Sequence, residues 1–543
     1  MNKLKMNGRK IKIFNENSLN YNISNMRSQN FLTLRKEKIS KKNFKSIQDN
    51  NSLFLIIDFF SSIPNNFHQQ YEQLENKEKI NFFIKLLLQS KEAIYISFAV
   101  YQIRNILESL SSKNELNCIF SEKHFNIIFI YLSKEYTDNA LKENLIFELL
   151  KIIEYSARLS PEYLKIICEN DSYFNCLINL LSKYNNLIIW SQTLLLIGNL
   201  IQIQEWELLQ KIHQLIDFYK IINNLIIYHL NELIEYKCLS NVVWNYGLIF
   251  KYSPNEILEN IFESLKKGIE ILCKLSKICL SQSDFKEIIT SISYICYKIE
   301  YKSYKNIILS TSLIKNLSNM INIDDSLEKV YSILVLFNIL HLKNENFIVE
   351  FITTDIIENI KIFYEDFLQK NISFSDEFLI EFISFINNCC TNINLRMIIC
   401  EPNHLLTNLI GYQSNITSNK VLKLLHEFFL NLMKYEKLDR DNIFLEFIRF
   451  EHPERLFYQF DNIYNKNELL TNETKELVII ILQEMVNLLI FTDQLFEEKN
   501  LIIERYNYLG DFKQMIENLL TKEDENSILF KLSKEILITY FKP

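Results

Sequence analysis

An all-α solenoid is the fold class this sequence predicts, and three observations predict it. Glycine and proline each occur only 6 times in 543 residues, whereas average usage is about 7% and about 5%. Sheets joined by tight turns draw on Gly for positive φ, and phosphate-cradling loops draw on it for close backbone approach. The second observation is helical spacing. In SYFNCLINLLSK (172–183), ENIFESLKKGIEIL (259–272) and SLIKNLSNMI (312–321), apolar residues recur at i, i+3, i+4 and i+7. The third is an internal period near 45 residues, developed below. A hydrophobic content of 48% is ample for a buried core along most of the chain.

Taken in order, the first element is a basic arm, residues 1–50, whose densest stretch is FLTLRKEKISKKNF at 31–44. Residues 1–46 hold 12 Lys and Arg against 2 Asp and Glu, leaving 47 basic against 64 acidic residues for the rest. An acidic body therefore carries a basic arm, and such blocks act as interaction tails. A solvated tail, a nuclear signal and a nucleic-acid patch are open readings of the arm by itself. The body, being acidic, would repel phosphate and is not expected to bind nucleic acid.

The second element is the repeat array, residues 75–510. QIRNILE around Asn105, LIGNLIQ around Asn199, VLFNILH around Asn338, FINNCCT around Asn388, FFLNLMK around Asn431 and EMVNLLI around Asn487 each place an Asn near the end of an apolar helical pattern. Tyr155, Leu248 and Tyr294 fill the gaps in this register, giving successive spacings of 50, 44, 49, 46, 44, 50, 43 and 56 residues. A helical period of this length points to armadillo or HEAT units, which run roughly 40–47 residues. One such unit cannot bury its apolar faces alone, so stacking creates a continuous core. The expectation is a right-handed superhelical stack of about eight to ten repeats. Residues 511–543 close it as a C-terminal helical cap. An Asn near a helix end also has a purely structural reading, since its amide can satisfy backbone groups nearby.

Three register helices resemble those of the importin-α family, the armadillo-repeat adaptors that carry nuclear localisation signals to importin-β. WSQTLLLIGNLIQ (190–202) is similar to the family's QAVWALGNIAG helix, with Gly198 and Asn199 kept and Leu195 in place of Trp. LSNVVWNYGLIFKYSP (239–254) is similar to RNATWTLSNLC, with Trp244 kept and Leu248 in place of Asn. EIITSISYICY (287–297) is similar to WAISYL, with Ile292, Ser293 and Tyr294 kept and Thr290 in place of Trp. At the other Trp positions stand Tyr101, Lys151, Leu334, Ser384 and Glu427, so no repeat keeps a full Trp–Asn pair and Tyr101 with Asn105 comes nearest. The likeness spans about residues 80–500 at low identity.

In the arm, Leu34, Arg35, Lys36 and Lys38, then Lys41, Lys42 and Asn43, resemble the family's importin-β-binding helix, about one helical turn shorter between the two clusters. The resemblance implies a cargo-peptide groove at Tyr101, Asn105, Asn199, Trp244, Tyr294, Asn338 and Asn388. It also implies an importin-β-binding arm at Arg27, Leu34, Arg35, Lys36, Lys38, Lys41 and Lys42, which without importin-β folds back onto an acidic groove. Importin-β and cargo proteins with nuclear localisation signals would be the partners, and cytoplasm and nucleus the location. With the Trp slots depleted, lysine-rich signals should bind weakly. The alternative is a divergent armadillo scaffold without nuclear-signal binding. Trp190 and Trp206 fall outside the family's positions and are expected to pack in the core or at its rim.

No enzyme signature is present. The eight histidines, among them His68, His213, His341 and His426, show no HExxH or Cys-His ligand spacing. The six glycines build no GxGxxG, GxxxxGK[ST] or GxSxG. No catalytic residue, metal or cofactor is expected. Ten cysteines without a CxxC pair, most inside apolar runs, read as reduced core residues in a cytosolic or nuclear compartment. The N-terminal MNKLKMNGRK has no apolar segment after it, so no secretory signal is expected. The longest apolar runs, such as LVIIIL at 477–482, fall far short of a membrane span, so a soluble protein without membrane insertion is expected.

Overall fold

The computed structural model describes residues 71–541, apart from short internal segments between helices. Among the described residues the regular structure is helical and no strand occurs. The nine register positions fall in nine helices: Ala93–Ser109, Asn139–Leu159, Leu187–His213, Leu239–Tyr252, Gln282–Lys298, Leu327–Lys343, Asp376–Cys389, Asn419–Leu432 and Asn472–Leu495. Each is named below by its register residue, from the Asn105 helix to the Asn487 helix.

Two shorter helices precede several of these. Lys113–Ile119 and Glu122–Ser133 lead into the Tyr155 helix, and Glu162–Glu169 and Asp171–Lys183 into the Asn199 helix. Tyr301–Thr311 and Leu313–Ile323 lead into the Asn338 helix, and Ile393–Ile399 and Leu405–Tyr412 into the Asn431 helix. Three helices per period make this an all-α solenoid of armadillo-like repeats and decide between the two repeat types the period alone leaves open.

The chain forms two compact units, divided near residue 300. In the first, the Asn105, Tyr155, Asn199 and Leu248 helices pack consecutively side by side. The Tyr294 helix joins them through Ser291 Oγ, which donates to Val243 O at 2.9 Å. In the second, the Asn338, Asn388, Asn431 and Asn487 helices form a similar row, and the Asn487 helix packs against Ile528–Tyr540. Residues 511–543, expected as a cap, contain Phe512–Lys522 and Ile528–Tyr540, packed on each other.

Polar stops punctuate the helices in place of glycine. Ser112 caps its helix by accepting from Glu115 N, Ser375 from Phe378 N and Ser527 from Phe530 N, which satisfies N–H groups the first turn leaves open. Where the backbone turns left-handed, Lys237, Ser312, Asp355 and Glu451 take φ values of 54°, 53°, 49° and 56°. Glycine would hold these without the Cβ penalty of roughly 1–2 kcal/mol.

The repeat is also written in hydrogen bonds. Tyr163 Oη donates to Phe120 O at 3.0 Å, Asn245 Nδ2 to Leu194 O at 2.9 Å, Asn359 Nδ2 to Ser318 O at 3.1 Å and Asn338 Nδ2 to Glu381 O at 3.0 Å. These cross 43, 51, 41 and 43 residues of sequence, so each ties one repeat to the next. The arm residues Arg27, Leu34, Arg35, Lys36, Lys38, Lys41 and Lys42 lie outside the described residues.

Candidate functional site

The open face of the first unit's row is the candidate site. On the Asn105 helix, Tyr101 and Asn105 are one turn apart and half-buried. Asn199 is likewise half-buried on its own helix, and among the described residues neither Asn105 nor Asn199 has a side-chain hydrogen bond. A primary amide carries two donors and an acceptor, so each can clasp the backbone of a chain laid across the helices. Tyr294 is half-buried too, with its ring edge close to Gly247.

Trp244 is placed differently from an open slot. It is 4% exposed, and its six-membered ring packs against Gly198 of the neighbouring helix. A Cβ built on Gly198 would fall 2.6 Å from Trp244 Cε3 and closer still to Cζ3. The glycine is the recess that lets an indole fit between two helices. The expectation of Trp244 as a lysine slot is thereby corrected: most of its ring is packing surface between repeats.

Asn338 and Asn388 are corrected as well. Asn338 is 1% exposed, and its Nδ2 donates to Glu381 O at 3.0 Å and Glu381 Oε2 at 2.8 Å. Its Oδ1 accepts from Asn388 Nδ2 at 3.0 Å. The Asn338 amide is spent on joining the Asn338 and Asn388 helices, and Asn388, 7% exposed, turns its Nδ2 to that junction, so neither is an open clasp.

The residues that sequence reasoning missed lie beside the register rather than on it. Arg104 Nε donates to Glu148 Oε2 at 2.9 Å and its Nη1 to Glu108 Oε2 at 2.5 Å. Lys151 Nζ donates to Glu154 Oε2 at 2.7 Å, and Gln192 Nε2 meets the same oxygen at 2.8 Å. Burial alone would push the Glu154 carboxyl up, but Lys151 and the Gln192 amide hold it below the ordinary carboxylate range. Burial, then the Glu154 and Glu108 carboxylates, raises the Tyr155 phenol well above its usual range, so it stays protonated. Three adjacent helices are thus linked by one charged network. The acidic groove expected from the chain's overall charge is here a set of paired carboxylates. Charged residues inside otherwise apolar helices, at Arg104 and Glu148 one repeat apart, were the available signal.

Deeper in, Asn245 Nδ2 donates to both Leu194 O and Asn241 O at 2.9 Å, and Asn241 Nδ2 donates to Ser191 Oγ at 2.9 Å. These buried amides lock the Asn199 and Leu248 helices together. Trp190 meets His229 edge-on at 5.9 Å.

The second unit holds a buried cluster of another kind. Glu484 Oε2 contacts His426 Nδ1 at 2.7 Å, and its Oε1 contacts His452 Nε2 at 2.5 Å, with all three side chains at 0% exposure. His426 Nε2 lies 2.7 Å from Gln459 Oε1. Gln459 Nε2 donates to Gln413 O at 3.4 Å, which fixes the orientation of that amide. Both nitrogens of His426 therefore face oxygens, Glu484 on one side and Gln459 on the other.

Among the described residues no His, Cys, Asp and Glu group is placed to hold a metal ion. No helix among them is long and apolar enough to cross a membrane.

No family model and no curated protein matches this chain. Solved structures do. An engineered protein aligns with 86% of this chain and 99% of its own at a TM-score of 0.56 and 14% identity. A designed armadillo repeat protein aligns with 49% of this chain and all of its own length at 14% identity and a TM-score of 0.37. The first likeness supports the fold alone.

Proposed function

We propose that the chain is a protein-interaction adaptor whose first unit binds an extended peptide across the Asn105, Tyr155 and Asn199 helices. The observation that carries this is the pair of half-buried amides at Asn105 and Asn199, which have no hydrogen bond among the described residues and stand two helices apart in one row. Packed helices lie about 8–10 Å apart and an extended chain rises about 3.3 Å per residue. One helix is crossed every three residues or so, and the two amides would clamp backbone groups about six residues apart. Asn105→Ala and Asn199→Ala are each expected to weaken peptide binding by about 1 kcal/mol, roughly fivefold, without lowering thermal stability. Isothermal titration with the bound peptide, beside melting curves, checks this; unchanged affinity in the double variant would remove the site.

The finer reading is a nuclear import adaptor, working between cytoplasm and nucleus, in which the basic arm binds importin-β and the groove takes cargo proteins bearing nuclear localisation signals. Its support is the excess of 12 basic over 2 acidic residues in positions 1–46 and the Leu34, Arg35, Lys36, Lys38 pattern. Reversing Arg35, Lys36 and Lys38 together to Glu should abolish capture by importin-β, because each lost charge pair is replaced by a repulsion. Retention of the complex at physiological salt would reject the arm's assignment. The buried Trp244 and the interlocked Asn338 and Asn388 favour the second reading, an armadillo scaffold that does not take nuclear signals.

A further inference from the structure

We infer that the peptide selected by the first unit carries an anionic side chain at its centre, held by Arg158, and is not lysine-rich; this rests on reading that face as a peptide site. A lysine-binding groove needs open aromatic rings and open carboxylates, and among the described side chains at the middle of the Asn105, Tyr155 and Asn199 helices several of both are already engaged. The rings already hold the protein's own cations. The Arg104 guanidinium lies 5.0 Å from the Tyr101 ring, Lys151 Nζ lies 5.7 Å from Phe147, and the Arg158 guanidinium lies 4.7 Å from Tyr155. Three carboxylates here are paired within the protein: Glu108 and Glu148 with Arg104, Glu154 with Lys151. A lysine entering here would have to displace an existing ion pair.

What is left open is a cation. Arg158 stands three residues past the register position of the middle helix, between the rows of Asn105 and Asn199. Among the described residues it makes no ion pair or hydrogen bond at contact distance; it stacks on Tyr155, and its charge adds to those that hold the Glu154 carboxylate low. A guanidinium presents a planar fork of donors that matches a carboxylate or phosphate, and stacking on a buried ring limits the freedom it would lose on binding. The ligand is therefore an extended segment with Asp, Glu or a phosphorylated residue at its centre.

The full chain, probed with oriented nonapeptide libraries whose central residue is Glu, phosphoserine, Lys or Ala, tests this. Glu- or phosphoserine-centred peptides should be retained at least tenfold over Lys-centred ones, and the ratio between the two anionic sets tells carboxylate from phosphate recognition. Arg158→Glu should reverse the preference, while Asn199→Ala should weaken all sets alike. Anionic retention indifferent to Arg158→Glu would mean capture by the basic arm and would overturn the inference. Selection of Lys-centred peptides that still depends on Asn199 would overturn the inference and leave the peptide site standing. If no library is retained in an Asn199-dependent way, the site itself is wrong.

Discussion

Glu484→Ala is expected to cost the second unit about 3–5 kcal/mol, the range for breaking a buried charge pair by removing one partner. The carboxylate is the shared acceptor of His426 and His452, all three side chains being wholly enclosed. Its loss leaves His452 beside the Phe429 and Phe447 rings without its carboxylate, and His426 with Gln459 alone. Glu484→Gln keeps the shape and one acceptor, but its NH₂ faces a ring N–H, so an intermediate loss is expected. Hydrogen exchange localised to residues 419–495 measures the effect within this unit alone, and a Glu484→Ala loss below about 1 kcal/mol would show the cluster to be inert.

The same cluster sets a pH dependence. Burial lowers the His452 pKa, with Glu484 opposing only in part. The unfolded chain therefore takes up a proton near the ordinary value of about 6.5 that the folded chain refuses. Burial would raise the Glu484 pKa, but His426 and His452 more than offset it and hold it low. Its stabilisation is present above the ordinary value of about 4.3 and is lost as pH falls through the depressed folded value. Both groups act in one direction. The second unit should lose stability as pH drops below about 6.5 and lose more below about 4.3. The first part of that loss should shrink in His452→Gln and leave the share of His404, whose pKa burial also lowers.

Gly198→Val is the second large effect, expected to cost more than the roughly 1–3 kcal/mol typical of an overpacked core. Gly198→Ala should already reach that range. The atoms a new Cβ meets belong to the Trp244 ring, which is rigid and held between two helices, so no flexible chain end can move aside. Trp244→Ala should cost about 3–5 kcal/mol by leaving a cavity, a stability loss that an open lysine slot would not produce. The two sites share one space, so Trp244→Leu should recover part of what Gly198→Ala loses. Denaturation midpoints of both single variants and the double variant decide it: strictly additive effects would mean the ring and the glycine are independent.

The helical class and the repeat length were legible in the sequence for a reason that is local. Each repeat must bury the same helix faces, so the apolar period recurs wherever the chain continues, and Asn105, Tyr155, Asn199 and Leu248 mark helices that pack consecutively. The scarcity of glycine was equally direct, because helices joined by polar caps need little of it. The use of each register residue was not legible. Asn199 and Asn338 are the same residue at the same register position, yet one amide has no bond among the described residues and the other is buried against Glu381. The difference comes from a side chain 43 residues away, and neither helix's own pattern encodes it. Trp244 likewise kept the residue type of a peptide slot, while Gly198 of the neighbouring helix decided that its ring would pack inward. His426, His452 and Glu484 form no spacing motif, since they come from three helices and meet only when those helices stack. Periodicity reports which face of a helix is buried. What a polar side chain finds on that face depends on the next repeat, and only the tertiary structure brings the two together.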